Sequence, residues 1–134
     1  DLHVEVPAVR LDELRAAAGE GTAEVAARVE GARERQRERF GDQHSYPVNS
    51  AMGPAEVRRH CRLTTEATRL LDRAFERLGL SARALDRVLK VSRTLADLAG
   101  SEAISPAHVA EAIQYRALDR RMSCPDGASR ERRN

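Results

Sequence analysis

The sequence predicts an all-α protein: a small antiparallel helical bundle, preceded by a longer helix and an orphan N-terminal strand. Apolar residues recur at helical spacing through the second half of the chain, between turns of two to five residues. Aromatic residues make up only 3% of the 134 residues and Trp is absent, while 33% of the residues are charged. The core must therefore be built from Leu, Val, Ala and Ile, packed through narrow apolar stripes.

The clearest predicted element is the stretch LSARALDRVLKVSRTLADLAG, residues 80–100. Ser81 is a suitable N-cap, and Gly100 can adopt the positive φ that commonly ends a helix. Three cations crowd into an arc opposite the apolar face, and this arc is either a solvated surface or a group that reaches an external anion. The predicted apolar face consists of Leu85, Val88, Leu89, Leu95, Ala96 and Ala99, and the cationic arc of Arg83, Arg87 and Lys90.

The N-terminal residues 1–6 alternate apolar and polar side chains, which predicts a strand ending at Pro7. No other segment shows a strand pattern, although a strand needs a partner for its backbone groups. We therefore expect its sheet to lie in sequence outside this chain, which would make the chain a fragment. A short helix is predicted over residues 11–18 and a longer one over residues 22–40. The inward face of the longer helix is predicted to hold Val25, Val29, Ala32, Gln36 and Phe40.

Residues 41–53 are rich in Gly, Pro, Asn and Ser and predict a linker. Four helices follow, beginning near Pro54, Thr64 or Thr65, Ser81, and Ser105 or Pro106, and the last is expected to end near Arg120. These patterns divide the chain into three parts. Residues 1–49 hold the strand and connecting helices, residues 50–120 the bundle, and residues 121–134 a disordered basic tail almost without apolar residues.

Charged residues outside the arc have two possible meanings. The run from Arg33 to Arg39 mixes Arg and Glu at helical spacing, which is typical of a self-paired, solvated face. The alternative is a surface that contacts DNA or a neighbouring subunit. Asp86 and Asp97 are predicted to lie on the polar side of the central helix, solvated or paired with nearby Arg.

Several functional classes are disfavoured by the sequence. His3, His44, His60 and His108 never fall at i, i+3 or i, i+4 with each other, so no metal site is predicted. Cys61 and Cys124 lack CxxC spacing and are interpreted as free thiols of a cytoplasmic protein. No apolar run long enough to span a membrane is present, and no signal peptide is recognisable. The net charge of +2 does not indicate a dedicated nucleic-acid-binding domain.

A nucleotide hydrolase of the phosphate-loop class needs the motif GxxxxGK[ST]. Lys90 is the only lysine in the sequence, and it follows Leu89 within a predicted helix. The phosphate loop is therefore absent from these 134 residues. We do not expect this chain to hydrolyse ATP by itself.

Four segments carry a resemblance to a known family. GLSARALDRVLKVSRTLADLAG followed by ISPAHVAEAIQYRALDR resembles the C-terminal, or lid, domain of magnesium-chelatase-like AAA+ ATPases of the ComM/YifB type. The segments DLHVEVP and VEGARERQRERF resemble the sequence that leads into that domain. The likeness covers roughly residues 1–120, is weakest over residues 44–53 and stops before the tail. In this family the N-terminal strand would be the last piece of the ATPase core.

The resemblance implies a function for the cationic arc. Arg83 matches the sensor-2 arginine, which contacts the phosphate of ATP bound by the core, and Arg87 is the second choice for that role. ATP and Mg²⁺ would belong to the full-length parent, an ATPase that forms a homo-oligomeric ring and acts on DNA, as in branch migration. A magnesium chelatase subunit is an alternative within the wider family. A competing class is an independent helical module that binds nucleic acid or protein.

Overall fold

A computed structural model describes residues 2–11, 15, 19–41, 45 and 47–122, with the side chains described as far as Arg116. Within these residues the chain forms five α-helices and a single turn of 3₁₀-helix. The α-helices are α1 (Thr22–Phe40), α2 (Pro54–His60), α3 (Thr65–Leu78), α4 (Ala82–Leu98) and α5 (Pro106–Met122), and the 3₁₀ turn is Asn49–Ala51. The predicted all-α helical bundle is confirmed. None of the described helices is long and apolar enough to cross a membrane.

Helix α4 is the central element of the bundle, because it packs against α1, α2, α5 and the 3₁₀ turn, while α3 packs on α5. The described core is aliphatic apart from Phe40, Met52 and Cys61, as the low aromatic content requires. Val88, Ala96, Ile104 and Val109 are at most 1% exposed, and one hydrophobic cluster joins them to residues of α1, α2 and α3. Burial of these side chains supplies most of the stability of the bundle.

The predicted N-caps of α3 and α4 are confirmed. The hydroxyl oxygens of Ser81 and Thr64 each accept a hydrogen bond of 3.2 Å, from the backbone N–H of Ala84 and Ala67 respectively, at the starts of α4 and α3. Gly79 and Gly100 follow the ends of these helices with φ of +59° and +68°. A side chain at either position would be strained, which explains why glycine terminates both helices.

The loops that precede α3 and α5 are joined through their backbones. Thr64 N–H donates to Ile104 O at 3.0 Å, and Ile104 N–H donates to Arg62 O at 2.8 Å, which forms an isolated parallel bridge between Leu63 and Ile104. The two hydrogen bonds satisfy backbone groups around Ile104, whose side chain is fully buried.

The N-terminal strand is not formed. Residues 2–10 have no regular secondary structure, and the backbone N–H of His3 donates to Tyr115 O at 3.0 Å. The described part of the chain offers no neighbouring strand, so a ladder cannot form and Val4 and Val6 remain exposed. The predicted helix over residues 11–18 and the predicted tail after Met122 lie largely outside the described residues.

Two predictions about burial are wrong, and the predicted linker is packed at its end. Val25 and Val29 of α1 are 39% and 46% exposed, because only the second half of this helix packs on the bundle through Ala32, Gln36 and Phe40. Ala99 is exposed because α4 has already ended at Leu98. The last part of the predicted linker is not a loose connection, since Val48, Asn49 and Met52 are all buried.

Candidate functional site

The cationic arc lies at the N-terminal end of α4. Arg83 is exposed in the first turn, and its side chain makes no hydrogen bond or ion pair with another described residue. Arg87 lies one turn further along, on the same side of the helix, and is half-buried. Ala84 and Val88, which follow these arginines in sequence, are buried and anchor this end of the helix in the core. The structure thus presents Arg83 to solvent from a fixed backbone.

Lys90, the third member of the predicted arc, has a structural partner. Its Nζ donates a hydrogen bond of 3.0 Å to the backbone oxygen of Ser50 in the 3₁₀ turn. This contact helps to hold the segment between α1 and α2 against α4. Lys90 is therefore already engaged within the fold, and Arg83 is the member of the arc whose side chain has no partner among the described residues.

The opposite end of α4 carries a buried ionic cluster that we did not predict. Asp97 is fully buried, and its Oδ2 accepts hydrogen bonds of 2.8 Å from Arg39 NH1 and 2.8 Å from Asn49 Nδ2. Its Oδ1 accepts from Arg39 NH2 and, at 3.2 Å, from Arg93 Nε. A buried carboxylate is costly unless its lone pairs are satisfied by charged donors, and here both oxygens are. Asp97 is paired with Arg as expected, but in the interior rather than on the polar surface.

Arg93 also holds the loop that follows its own helix. Its NH1 and NH2 groups donate to the backbone oxygens of Glu102 and Ser101 at 2.6 and 2.5 Å, beyond the last turn of α4. Burial lowers the pKa of the Arg93 guanidinium, and the adjacent Asp97 carboxylate opposes that shift. Five donors on a planar group allow one arginine to hold the carboxylate and two carbonyls together.

Asn49 connects this cluster to the other helices. Its backbone N–H donates to Gln36 Oε1 at 3.1 Å, and its Nδ2 also donates to Thr94 Oγ1 at 3.0 Å. Its own Oδ1 accepts from Arg39 NH1 at 2.9 Å. The buried amide therefore satisfies its polar groups while tying α1, the 3₁₀ turn and α4 together.

An open cleft of about 520 Å³ lies over the ionic cluster, between the C-terminal parts of α1, α2 and α4. His60 is half-buried in its wall and packs edge-on against Phe40, with ring centroids 5.6 Å apart. Burial, followed by the positive charges of Arg59 and Arg39, lowers the pKa of His60. The lining residues are Arg35, Glu38, Arg39, Arg59, His60, Arg62, Arg93, Asp97, Gly100, Ser101 and Glu102.

A second groove of about 550 Å³ lies between α3 and α5. Its floor is aliphatic and two arginines of α3 stand at its edge. It is lined by Leu70, Arg73, Ala74, Arg77, Leu78, Ala110 and Ile113. The groove brings together no pair of groups suited to acid–base or nucleophilic chemistry.

The remaining candidate residues have structural roles. Cys61 is buried, its Sγ lies 3.6 Å from Leu89 O, and burial raises the pKa of the thiol to about 11. Such a thiol stays protonated and unreactive at neutral pH. His108 Nδ1 accepts from the backbone N–H of Ser105 at 3.1 Å at the start of α5. Among the described residues, no group of His, Cys, Asp and Glu could hold a metal ion.

The Arg–Glu run of α1 is only partly the solvated face that its pattern predicts. Arg37 pairs on the surface with Glu34 and Glu30, at 2.5 Å each. Arg39, two residues later, turns inward to Asp97 instead. One sequence signal could have indicated this: Arg93 and Asp97 continue, at intervals of four residues, the apolar stripe begun by Leu85 and Leu89. Charges placed on a buried stripe indicate an internal ion pair.

Comparison with known protein families assigns the chain to one of them. The family model described as "Magnesium chelatase, subunit ChlI C-terminal" matches residues 19–116. The chain belongs to this family. The match begins just before α1 and ends within α5, so it covers α1 to α4, most of α5, the ionic cluster and the cationic arc.

Curated relatives agree with this assignment. The chain is 41% identical over 122 residues to competence protein ComM of Haemophilus influenzae, which covers 90% of the chain and 23% of that protein. It is 42% identical over 102 residues to the uncharacterised protein YifB of Escherichia coli, which covers 76% of the chain and 19% of that protein. An uncharacterised protein of Mycobacterium tuberculosis, Rv2897c, is 36% identical over 116 residues. The chain thus spans less than a quarter of the length of these relatives.

Proposed function

We propose that this chain acts as the helical lid of a longer magnesium-chelatase-like ATPase, closing over ATP and Mg²⁺ that are held by a core outside these 134 residues. In that role residues 50–120 form the lid, and Arg83 contacts the phosphate of the bound nucleotide. The proposal rests on the exposure of Arg83. It is an exposed guanidinium without a described partner, on a rigidly packed helix, in a chain that belongs to this family.

The chemistry of Arg83 suits that role. A guanidinium stays charged at any physiological pH and offers donors in a fixed fork that matches the oxygens of a phosphate. Each hydrogen bond between charged groups contributes about 1.5–3 kcal/mol, enough to favour a closed lid when the phosphate is present. Loss of the phosphate on hydrolysis would remove the contact and release the lid. The lid would pass this movement to neighbouring subunits of a ring.

The substrate of the longer protein is proposed to be DNA, in a reaction of the branch-migration or helicase type. Similarity to a competence protein supports this choice. The family description names a magnesium chelatase subunit, which makes a chelatase lid the second candidate. We rank it lower because the relatives at 41–42% identity are of the ComM and YifB type.

The test compares Arg83→Ala with Arg87→Ala in the full-length protein encoded by the reading frame that contains this chain. Arg83→Ala should lower the steady-state rate of ATP hydrolysis at least about tenfold, which corresponds to about 1.4 kcal/mol in the barrier. Thermal melting should be unchanged, because the Arg83 side chain is outside the core. Normal hydrolysis by Arg83→Ala with impaired hydrolysis by Arg87→Ala would mean that Arg87, one helical turn later, contacts the phosphate instead. Normal hydrolysis by both variants would reject it.

The 134-residue chain provides a second test. Without a phosphate loop it should show no ATPase activity and should bind ATP no more tightly than millimolar, about −4 kcal/mol. Calorimetry with the purified chain measures this directly. Micromolar ATP binding would instead favour the competing hypothesis, an independent binding module.

A further inference from the structure

The cleft over the ionic cluster lies far from the proposed nucleotide contact. Asp97 is fourteen residues after Arg83 in the same helix, which places the two about 21 Å apart along the axis of α4. The cleft is therefore a separate feature, and none of the roles given above to Arg83 or Arg87 involves it.

The cleft has an excess of positive charge. Five arginines line it against three carboxylates, so its lining carries a net charge of +2 with His60 neutral. Asp97 is already satisfied by Arg39 and Arg93. The other acidic members, Glu38 and Glu102, are exposed and make no side-chain ion pair with another described residue.

Arg59 and Arg62 are the cations best placed to take a ligand. Both are exposed, at the end of α2 and just beyond it, and neither side chain forms a hydrogen bond or ion pair within the described part of the chain. Arg35 completes the opposite wall, where its NH1 donates to Asp97 O at 3.2 Å. A Cβ on Gly100 would lie 3.1 Å from NH2 of the same arginine, so glycine leaves room for it there.

The charge and shape of the cleft select the ligand. We propose that it binds a small phosphomonoester, whose phosphate is held by Arg59 and Arg62. A phosphomonoester carries −1.5 to −2 at pH 7, which matches the excess of +2, whereas a single carboxylate or phosphodiester carries only −1. A volume of about 520 Å³ is within the range of small-molecule sites and can admit the group that the phosphate is attached to.

His60 reports on occupancy of the site. Burial lowers its pKa most, and the positive charges of Arg59, Arg39 and Arg62 lower it further, while Glu56 opposes them. A phosphate bound among these arginines would cancel part of their field and raise the pKa of His60. The proton resonances of the imidazole, identified with a His60→Gln variant, therefore distinguish binding in the cleft from binding elsewhere.

The experiment titrates the 134-residue chain with inorganic phosphate and, separately, with a nucleoside monophosphate, at constant ionic strength. Both should raise the pKa of His60 and bind with a millimolar Kd. Tighter binding of the nucleotide would show that the cleft also contacts the esterified group. Arg59→Gln with Arg62→Gln should weaken binding at least tenfold, while circular dichroism stays unchanged because both side chains are exposed.

The matched control is Arg73→Gln with Arg77→Gln, which removes the same charge from the exposed edge of the other groove. This control should change the Kd less than twofold. Equal weakening by both double variants would show a general charge effect and overturn the proposal. So would an unchanged pKa of His60 at saturating phosphate, or binding of an oligonucleotide without a 5′ phosphate in preference to the monoester. None of these outcomes depends on Arg83, so the proposed lid function stands or fails separately.

Discussion

The two ends of α4 use the same residue type for opposite purposes. At the N-terminal end Arg83 is exposed, and no described residue pairs with it. At the C-terminal end Arg93 is 2% exposed and is surrounded by a carboxylate and two carbonyl oxygens. An arginine that is satisfied inside the fold contributes to structure, whereas one that is fixed but unsatisfied can act on another molecule. The difference lies in what the neighbouring elements supply, and this comparison can be tested one residue at a time.

The largest effect is expected from Asp97→Asn. The substitution keeps the shape of the side chain but leaves the buried Arg93 and the half-buried Arg39 without a counter-charge, which should cost about 3–5 kcal/mol of unfolding free energy. Urea denaturation followed by circular dichroism measures the loss. Asp86→Asn, at a half-buried position of the same helix, is the matched control and should cost less than about 1 kcal/mol. Similar losses for both variants would contradict the structural role of the cluster.

A smaller loss is expected from Leu89→Ala in the middle of α4. Leu89 packs against the hydrophobic core but is half-buried, so the cost should fall near the lower end of the range of about 2–5 kcal/mol for removal of a buried leucine side chain. The same denaturation experiment applies. A cost greater than that of Asp97→Asn would show that packing, rather than the ionic cluster, dominates this helix.

At the N-terminal end, Ser81→Ala removes the hydroxyl that accepts from Ala84 N–H. The expected cost is about 1 kcal/mol, the usual value for loss of an N-cap. Ser81→Asp should restore the cap and return the midpoint of denaturation to that of the unmodified chain. If the aspartate variant does not recover stability, the loss in Ser81→Ala does not come from the missing cap.

The smallest effect on stability is expected from Arg83→Ala, within about 0.5 kcal/mol, because the side chain has no described partner to lose. The value is measured on the same chain under the same conditions. A loss of more than about 1 kcal/mol of unfolding free energy would show that Arg83, like Arg93, stabilises the fold. The contrast between the two ends of α4 would then disappear.

The sequence by itself determined where the helices begin and end. The hydroxyls of Ser81 and Thr64 and the glycines at 79 and 100 act on backbone groups within a few residues, so their effects can be predicted locally. The family could also be recognised from the amino-acid sequences of α4 and α5, and the match over residues 19–116 confirms it. The assignment of Arg83 to a phosphate stays a prediction.

Only the tertiary structure decided which charged residues are buried. Arg39 and Asp97 are 58 residues apart, and their pairing depends on how α1 crosses α4. The same crossing buries Asn49 in what the sequence suggested was a linker, and leaves Val25 and Val29 exposed where α1 extends past the bundle. An isolated Arg–Glu run has the same local pattern whether it meets solvent or a buried carboxylate. The partner that distinguishes the two comes from a distant part of the chain, because burial is a property of the packed helices together.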